Sequence, residues 1–83
     1  MFFAYVIQSE SDETFFYKGH CEDLEKRLKQ HNSGQTVSIK NKVPFKLVYF
    51  EAFELRIQAI KREKYFKSAA GRKYLKSKIS TFL

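Results

Sequence analysis

Twenty consecutive residues, Phe15 to Gly34, leave this chain few ways to fold. Phe15, Phe16 and Tyr17 favour an extended backbone packed on at least one face. Gly19 interrupts them with a turn. From Glu22 to His31 the pattern becomes helical, with Leu24 and Leu28 as the buried stripe and Cys21 near the N-cap. Glu22, Asp23 and Glu25 place negative charge where the helix terminus is positive. Asn32-Ser33-Gly34 supplies the stop. At about 100° per residue, His31 falls about 20° from Leu24, and Arg27 about 40° beyond His31. The two therefore sit four residues apart at the margin of the buried face, pointing the same way.

Such a strand-helix unit needs a partner strand and a second layer, and the flanking sequence offers both. Phe2 to Ile7 is continuously apolar, as expected of a strand buried on both faces. Ser9 to Glu13 is a polar turn, and Thr14 to Gly19 returns as the second strand of an antiparallel hairpin. A loop centred on Ser11 sets Tyr5 directly opposite Tyr17, on one face of the sheet. Gln35 to Pro44 is a polar, lysine-bearing stretch expected to be a mobile loop. Phe45 to Phe53 is a second apolar and aromatic run, predicted as a central strand with Glu51 at its exit. A helix follows from Glu54 or Leu55 to Lys67, its stripe formed by Leu55, Ala59, Ile60 and Phe66. Ala69-Ala70-Gly71 is expected to break it. Arg72 to Ile79 then forms a third helix docked by Tyr74, Leu75 and Ile79, and Ser80 to Leu83 a frayed tail. The elements run β-β-α-β-α-α, an α+β chain, and its 83 residues suffice for one domain spanning 1–83.

Composition narrows the function. Fourteen aromatics and a 43% hydrophobic content supply a core and exclude disorder over most of the length. No apolar run approaches the ~20 residues of a membrane span. The single cysteine cannot form an internal disulfide, which points to a reducing compartment and a cytoplasmic protein. Charge is polarised along the chain. Residues 1–25 carry six acids and one lysine, whereas residues 26–83 carry fifteen bases and three acids. That pattern attracts a polyanion, and nucleic acid fits it better than an anionic membrane. The basic residues expected to meet it are Lys18, Lys40, Lys42, Lys61, Arg62, Lys64, Lys67, Arg72 and Lys73.

One residue breaks the pattern. On the helical wheel Glu63 falls between Ala59 and Ile60, inside the apolar stripe. An uncompensated carboxylate there costs several kcal/mol, so it must be paired, protonated or bound to a cation. Together with Tyr5, Tyr17, Arg27 and His31 it meets the needs of phosphodiester hydrolysis. A divalent cation on the carboxylate would polarise the phosphate. Arg27 would hold the transition state through forked hydrogen bonds. A tyrosine or His31 would take a proton from water. A phenol, with a free pKa near ~10, does so only beside positive charge. His20 and Cys21, taken with His31, lack the spacing of a zinc site.

These residues carry a resemblance. Phe3-Ala4-Tyr5, Tyr17-Lys18-Gly19, Asp23 through Leu28 and His31-Asn32-Ser33-Gly34 follow in order, then Pro44 through Glu51 and Lys61 through Lys67. Over about residues 2–78 the chain resembles the GIY-YIG nucleases, in the small stand-alone form similar to the N-terminal nuclease domain of the excinuclease C subunit. The resemblance implies a three-stranded antiparallel sheet flanked by helices. It also implies Mg²⁺- or Mn²⁺-dependent endonuclease cleavage of DNA, one strand per active site, in repair or processing. Tyr5 and Tyr17 would be the motif tyrosines, Arg27 the phosphate-stabilising arginine, His31 the accessory base and Glu63 the metal ligand. The Gly and Ile of the first motif are absent, and Lys18 replaces the Ile of the second. A nucleic-acid-binding module of the same fold, with weak or no cleavage, is the alternative reading.

Overall fold

A computed structural model describes residues 1–82. Strands β1 (Phe2–Ser9), β2 (Phe16–Cys21) and β3 (Phe45–Phe53) form one antiparallel sheet in the order β2-β1-β3. Helix α1 (Leu24–Asn32) and a 3-10 helix (Val37–Lys42) lie between β2 and β3 in the chain. Helices α2 (Arg56–Lys67) and α3 (Ala69–Lys78) follow β3. No helix among the described residues is long and apolar enough to cross a membrane.

The unbroken apolar run of β1 is explained by its place: it is the central strand, and Ala4 through Ser9 are all buried. Its alternating side chains build two cores. Tyr5 and Ile7 join Cys21, Ile39 and Phe45 under α1 and the 3-10 helix. Ala4 and Val6 join Phe66, Leu75, Ile79 and Phe82 under α2 and α3.

Several boundaries depart from the sequence expectations, each for a local reason. β3 is an edge strand rather than a central one, although its length and limits are as expected. The hairpin register is shifted by two residues, so Tyr5 faces Gly19 and Tyr17 faces Ile7. A polar clasp recentres the turn beyond Ser11: the buried Ser9 hydroxyl accepts from the Ser11 and Asp12 amides, and Asp12 accepts from Thr14. A shift of two preserves faces, so Tyr5 and Tyr17 still share one. The cap of α1 is Asp23, whose carboxylate accepts from the Lys26 amide, while Cys21 closes β2. The expected loop from Gln35 contains the 3-10 helix, anchored by buried Ile39. Ser68, not Gly71, separates α2 from α3, its hydroxyl accepting from the Gly71 amide. Gly71 is required by close packing instead, since a Cβ there would lie 1.6 Å from the Tyr65 carbonyl oxygen. Leu55 is exposed, leaving Ala59 and Phe66 as the fully buried stripe of α2. The tail is docked as far as Phe82, whose ring packs 4.6 Å from that of Phe16. Leu83 lies outside the described residues.

Candidate active site

Gly19 shows how the site is assembled. A Cβ at this position would lie 2.5 Å from the Tyr5 hydroxyl, so only glycine lets the phenol cross over β2. Tyr5 thereby reaches α1, where its Oη lies 2.7 Å from His31 Nε2. The opposite ring nitrogen, Nδ1, lies 2.7 Å from Thr36 Oγ1. The Tyr17 ring stands edge-on to the same imidazole, centroids 5.1 Å apart. Two tyrosines and a histidine from three different elements thus form one cluster.

Burial sets the protonation of this cluster. Desolvation raises the Tyr5 pKa well above its ordinary value, helped by Tyr17, Cys21 and the charge of Glu63, with only Arg27 opposing. Desolvation, then Arg27, lowers that of His31. The phenol is therefore protonated and the imidazole neutral at neutral pH. Tyr5 donates to Nε2, and Nδ1–H donates to Thr36. Tyr17 is half-buried, and its hydroxyl has no hydrogen bond among the described residues.

Arg27 is exposed on α1 and lines an open cavity of about 280 Å³ with His20, Cys21, Asp23, Lys26 and Gln30. Glu63 comes from the other side of β2. His20 alternates to the opposite face from Tyr17 and Gly19, and its Nδ1–H donates to Glu63 Oε1 at 2.7 Å. Lys67 donates to Oε2, also at 2.7 Å. Burial pushes the Glu63 carboxyl up, but the bonds from Lys67 and His20 outweigh it and hold it below the usual range. The inward carboxylate is thus paired, and its side chain is only 18% exposed. None of its hydrogen bonds among the described residues reaches Tyr5, Tyr17 or Arg27. The five candidate residues form two groups, one on each face of the edge strand β2, joined through the Gly19-His20 backbone.

A profile of the GIY-YIG catalytic domain matches residues 1–76. The chain belongs to the GIY-YIG family. UPF0213 protein SSP2268 of Staphylococcus saprophyticus is 35% identical over 75 residues, covering 89% of each chain. UPF0213 protein HQ_3675A of Haloquadratum walsbyi is 36% identical over 67 residues, 80% of this chain and 73% of its own. UPF0213 protein YazA of Bacillus subtilis is 33% identical over 72 residues, 86% and 71% of the two chains. GIY-YIG proteins are a nuclease family acting on DNA, and this chain is a small member of it.

Within that GIY-YIG frame the sequence reading missed three partners. Thr36 fixes the His31 ring from a stretch expected to be mobile. Lys67 pairs with Glu63 at a helical spacing of four, a signal that was readable. His20 was weighed only against zinc. The structure turns it away from His31, and no three metal-ligating side chains gather among the described residues. The basic residues also divide. Arg62 is turned inward, its guanidinium donating twice to Glu51 and lying over the Tyr65 and Tyr74 rings. Lys42 pairs with Asp12. Half-buried Lys18 lies over the Phe82 ring. Lys40, Lys61, Lys64, Arg72 and Lys73 are exposed, with no carboxylate partner among the described residues.

Proposed function

We propose that this protein is a metal-dependent endonuclease that hydrolyses DNA phosphodiester bonds one strand at a time, in the cytoplasm, in repair or processing of branched, flapped or damaged DNA. The observation that carries this reading is the Tyr5–His31–Tyr17 cluster set against Glu63 across one edge strand, with Arg27 at the adjoining cavity. The cytoplasmic assignment rests on the lone thiol, Cys21, which is buried and free.

Mg²⁺ and Mn²⁺ are held by one or two carboxylates, with water and substrate phosphate completing the shell. A single acid at the rim of the fold, already held in its charged form by Lys67 and His20, suits that demand. When bound, the cation polarises the phosphodiester and stabilises the leaving oxygen. Arg27, exposed and without a carboxylate partner among the described residues, holds two phosphate oxygens through its fork. His31 accepts the Tyr5 proton as that phenol takes one from water, and Thr36 keeps the ring oriented for it. Tyr17 closes the other side of the imidazole and offers its hydroxyl to the phosphate. Exposed Lys61, Lys64, Arg72 and Lys73 contact the backbone of the strand.

The test is nicking of flapped, branched and damaged DNA in Mg²⁺ or Mn²⁺, with Arg27→Ala and Glu63→Gln both expected to abolish it. Activity surviving both substitutions sinks the assignment. One observation favours a second reading, a binding module that cleaves weakly or not at all: both oxygens of Glu63 are already occupied. Salt-sensitive binding without nicking over the same substrates and metals would establish it.

A further inference from the structure

The imidazole beside Glu63 enters the mechanism above only as a hydrogen-bond donor to that carboxylate. His20 follows Gly19 on β2, and Glu63 stands on α2, which Phe66 packs against Ala4 and Val6 of the neighbouring central strand. Nδ1 and Oε1 are 2.7 Å apart, with one proton between their lone pairs. Both side chains reach solvent, at 34% and 18% exposure. Neighbouring ligands at about 2.1 Å from a divalent cation, at a right angle, lie ~3.0 Å apart. The observed pair is therefore only a few tenths of an ångström short of that separation, a difference within side-chain rotation. Nε2 of His20 has no hydrogen bond among the described residues, so a neutral ring can carry its proton there and free the Nδ1 lone pair. Lys67, on a side chain 55% exposed, can swing away from Oε2 into water.

We propose that His20 and Glu63 together form a two-residue nitrogen–oxygen site for a divalent cation, and that the imidazole makes this centre select Mn²⁺ over Mg²⁺. Mg²⁺ gains little from a nitrogen donor because it favours an all-oxygen octahedron. First-row transition ions gain from imidazole, increasingly so along the series from Mn²⁺ to Ni²⁺. The inference rests on the reading of Glu63 as cation ligand and adds the second ligand to it.

The experiment uses the full chain without nucleic acid, so it does not depend on cleavage. Free Mn²⁺ is followed by electron paramagnetic resonance, Mg²⁺ binding by competition, and the site is located by Mn²⁺ broadening of the amide resonances around residues 19–21 and 62–64. The wild type should bind Mn²⁺ about tenfold more tightly than Mg²⁺. His20→Ala should lose most of that margin, weakening Mn²⁺ about tenfold while leaving Mg²⁺ nearly unchanged. His20→Asn, which keeps a hydrogen bond to Glu63 but no ring nitrogen, should behave like His20→Ala. Glu63→Gln should weaken both ions. An unchanged Mn²⁺/Mg²⁺ ratio in both His20 variants, or tighter Mn²⁺ binding, overturns the proposal and leaves His20 a competitor for the carboxylate. Full binding by Glu63→Gln, or no binding by the wild type, overturns it together with the reading of Glu63 itself.

Discussion

Glu51 and Glu63 lie on the same side of the sheet and are equally buried, their side chains 20% and 18% exposed. Their partners differ. Glu51 receives the Arg62 guanidinium at 2.7 and 3.3 Å and the hydroxyls of Tyr49 and Tyr74. Those partners are half-buried, and the arginine is further held over two tyrosine rings. Glu63 receives one imidazole and one lysine that is more than half exposed. Burial alone therefore does not mark a functional acid. A carboxylate whose partners cannot leave is part of the scaffold, whereas one whose partners can turn into water is free to exchange them for a cation.

The sharpest test of that contrast is to neutralise each acid in turn. Glu63→Gln should lower metal-dependent nicking by about 10²-fold or more. Its thermal stability should stay within about 0.5 kcal/mol of wild type, because His20 and Lys67 can rehydrate. Glu51→Gln should do the reverse, costing about 2 kcal/mol by leaving a half-buried guanidinium and two phenols without their acceptor. Nicking by the folded fraction should be nearly unchanged. Denaturant unfolding and initial nicking rates on both variants check this, and equal losses of stability would erase the distinction.

How much of this was legible beforehand follows the same division. Periodicity placed Glu63 inside the α2 stripe, and the spacing of Arg27 and His31 put both on one margin of α1, where the structure buries His31 and leaves Arg27 exposed. Both are local, helical signals. The role of Glu51 was not legible, because two of its three partners, Arg62 and Tyr74, come from α2 and α3, and sequence order made it look like a strand exit. The hairpin register was missed for a similar reason. Ser9 accepts from the turn and donates to the Lys42 carbonyl, more than thirty residues away. Alternation survived the error because the slip was even, so Tyr5 and Tyr17 kept a common face. The pairing of His20 with Glu63 was missed because the two lie forty-three residues apart.

Acid titration separates the groups by pH range, since all three have their pKa lowered and lose their contribution as pH falls. His31 has its pKa lowered by burial, so the folded form resists protonation and its contribution is complete above the ordinary value near ~6.5. That contribution should be lost as pH falls from there through the folded value. Glu51 and Glu63 are both held below the ordinary carboxylate value of 4.5 by hydrogen-bond donors that outweigh burial. Their contributions persist to lower pH and are lost only as pH falls through the depressed values. Unfolding free energies measured from pH 7 to 3 should therefore bend first as pH falls below about 6.5, and the bend should vanish in His31→Gln. Below pH 4.5 the slope should flatten more in Glu51→Gln than in Glu63→Gln. The opposite ranking would mean that the more exposed donors bind their acid as firmly as the guanidinium does.

The smallest effect expected is also the most discriminating, because it exchanges the bases rather than the acids. Lys67→Ala removes an ammonium whose side chain is 55% exposed, so the pair should contribute no more than about 0.5 kcal/mol. Arg62→Ala removes a side chain that donates two hydrogen bonds and lies over three rings, and should cost about 2 kcal/mol. A double-mutant cycle with each acid isolates the pairwise energy from the lost packing. Coupling should be measurable for Arg62 with Glu51 and close to zero for Lys67 with Glu63. A strong Lys67–Glu63 coupling would mean that the lysine does not yield its place, and a cation arriving at Glu63 would then have to displace a bound charge rather than water.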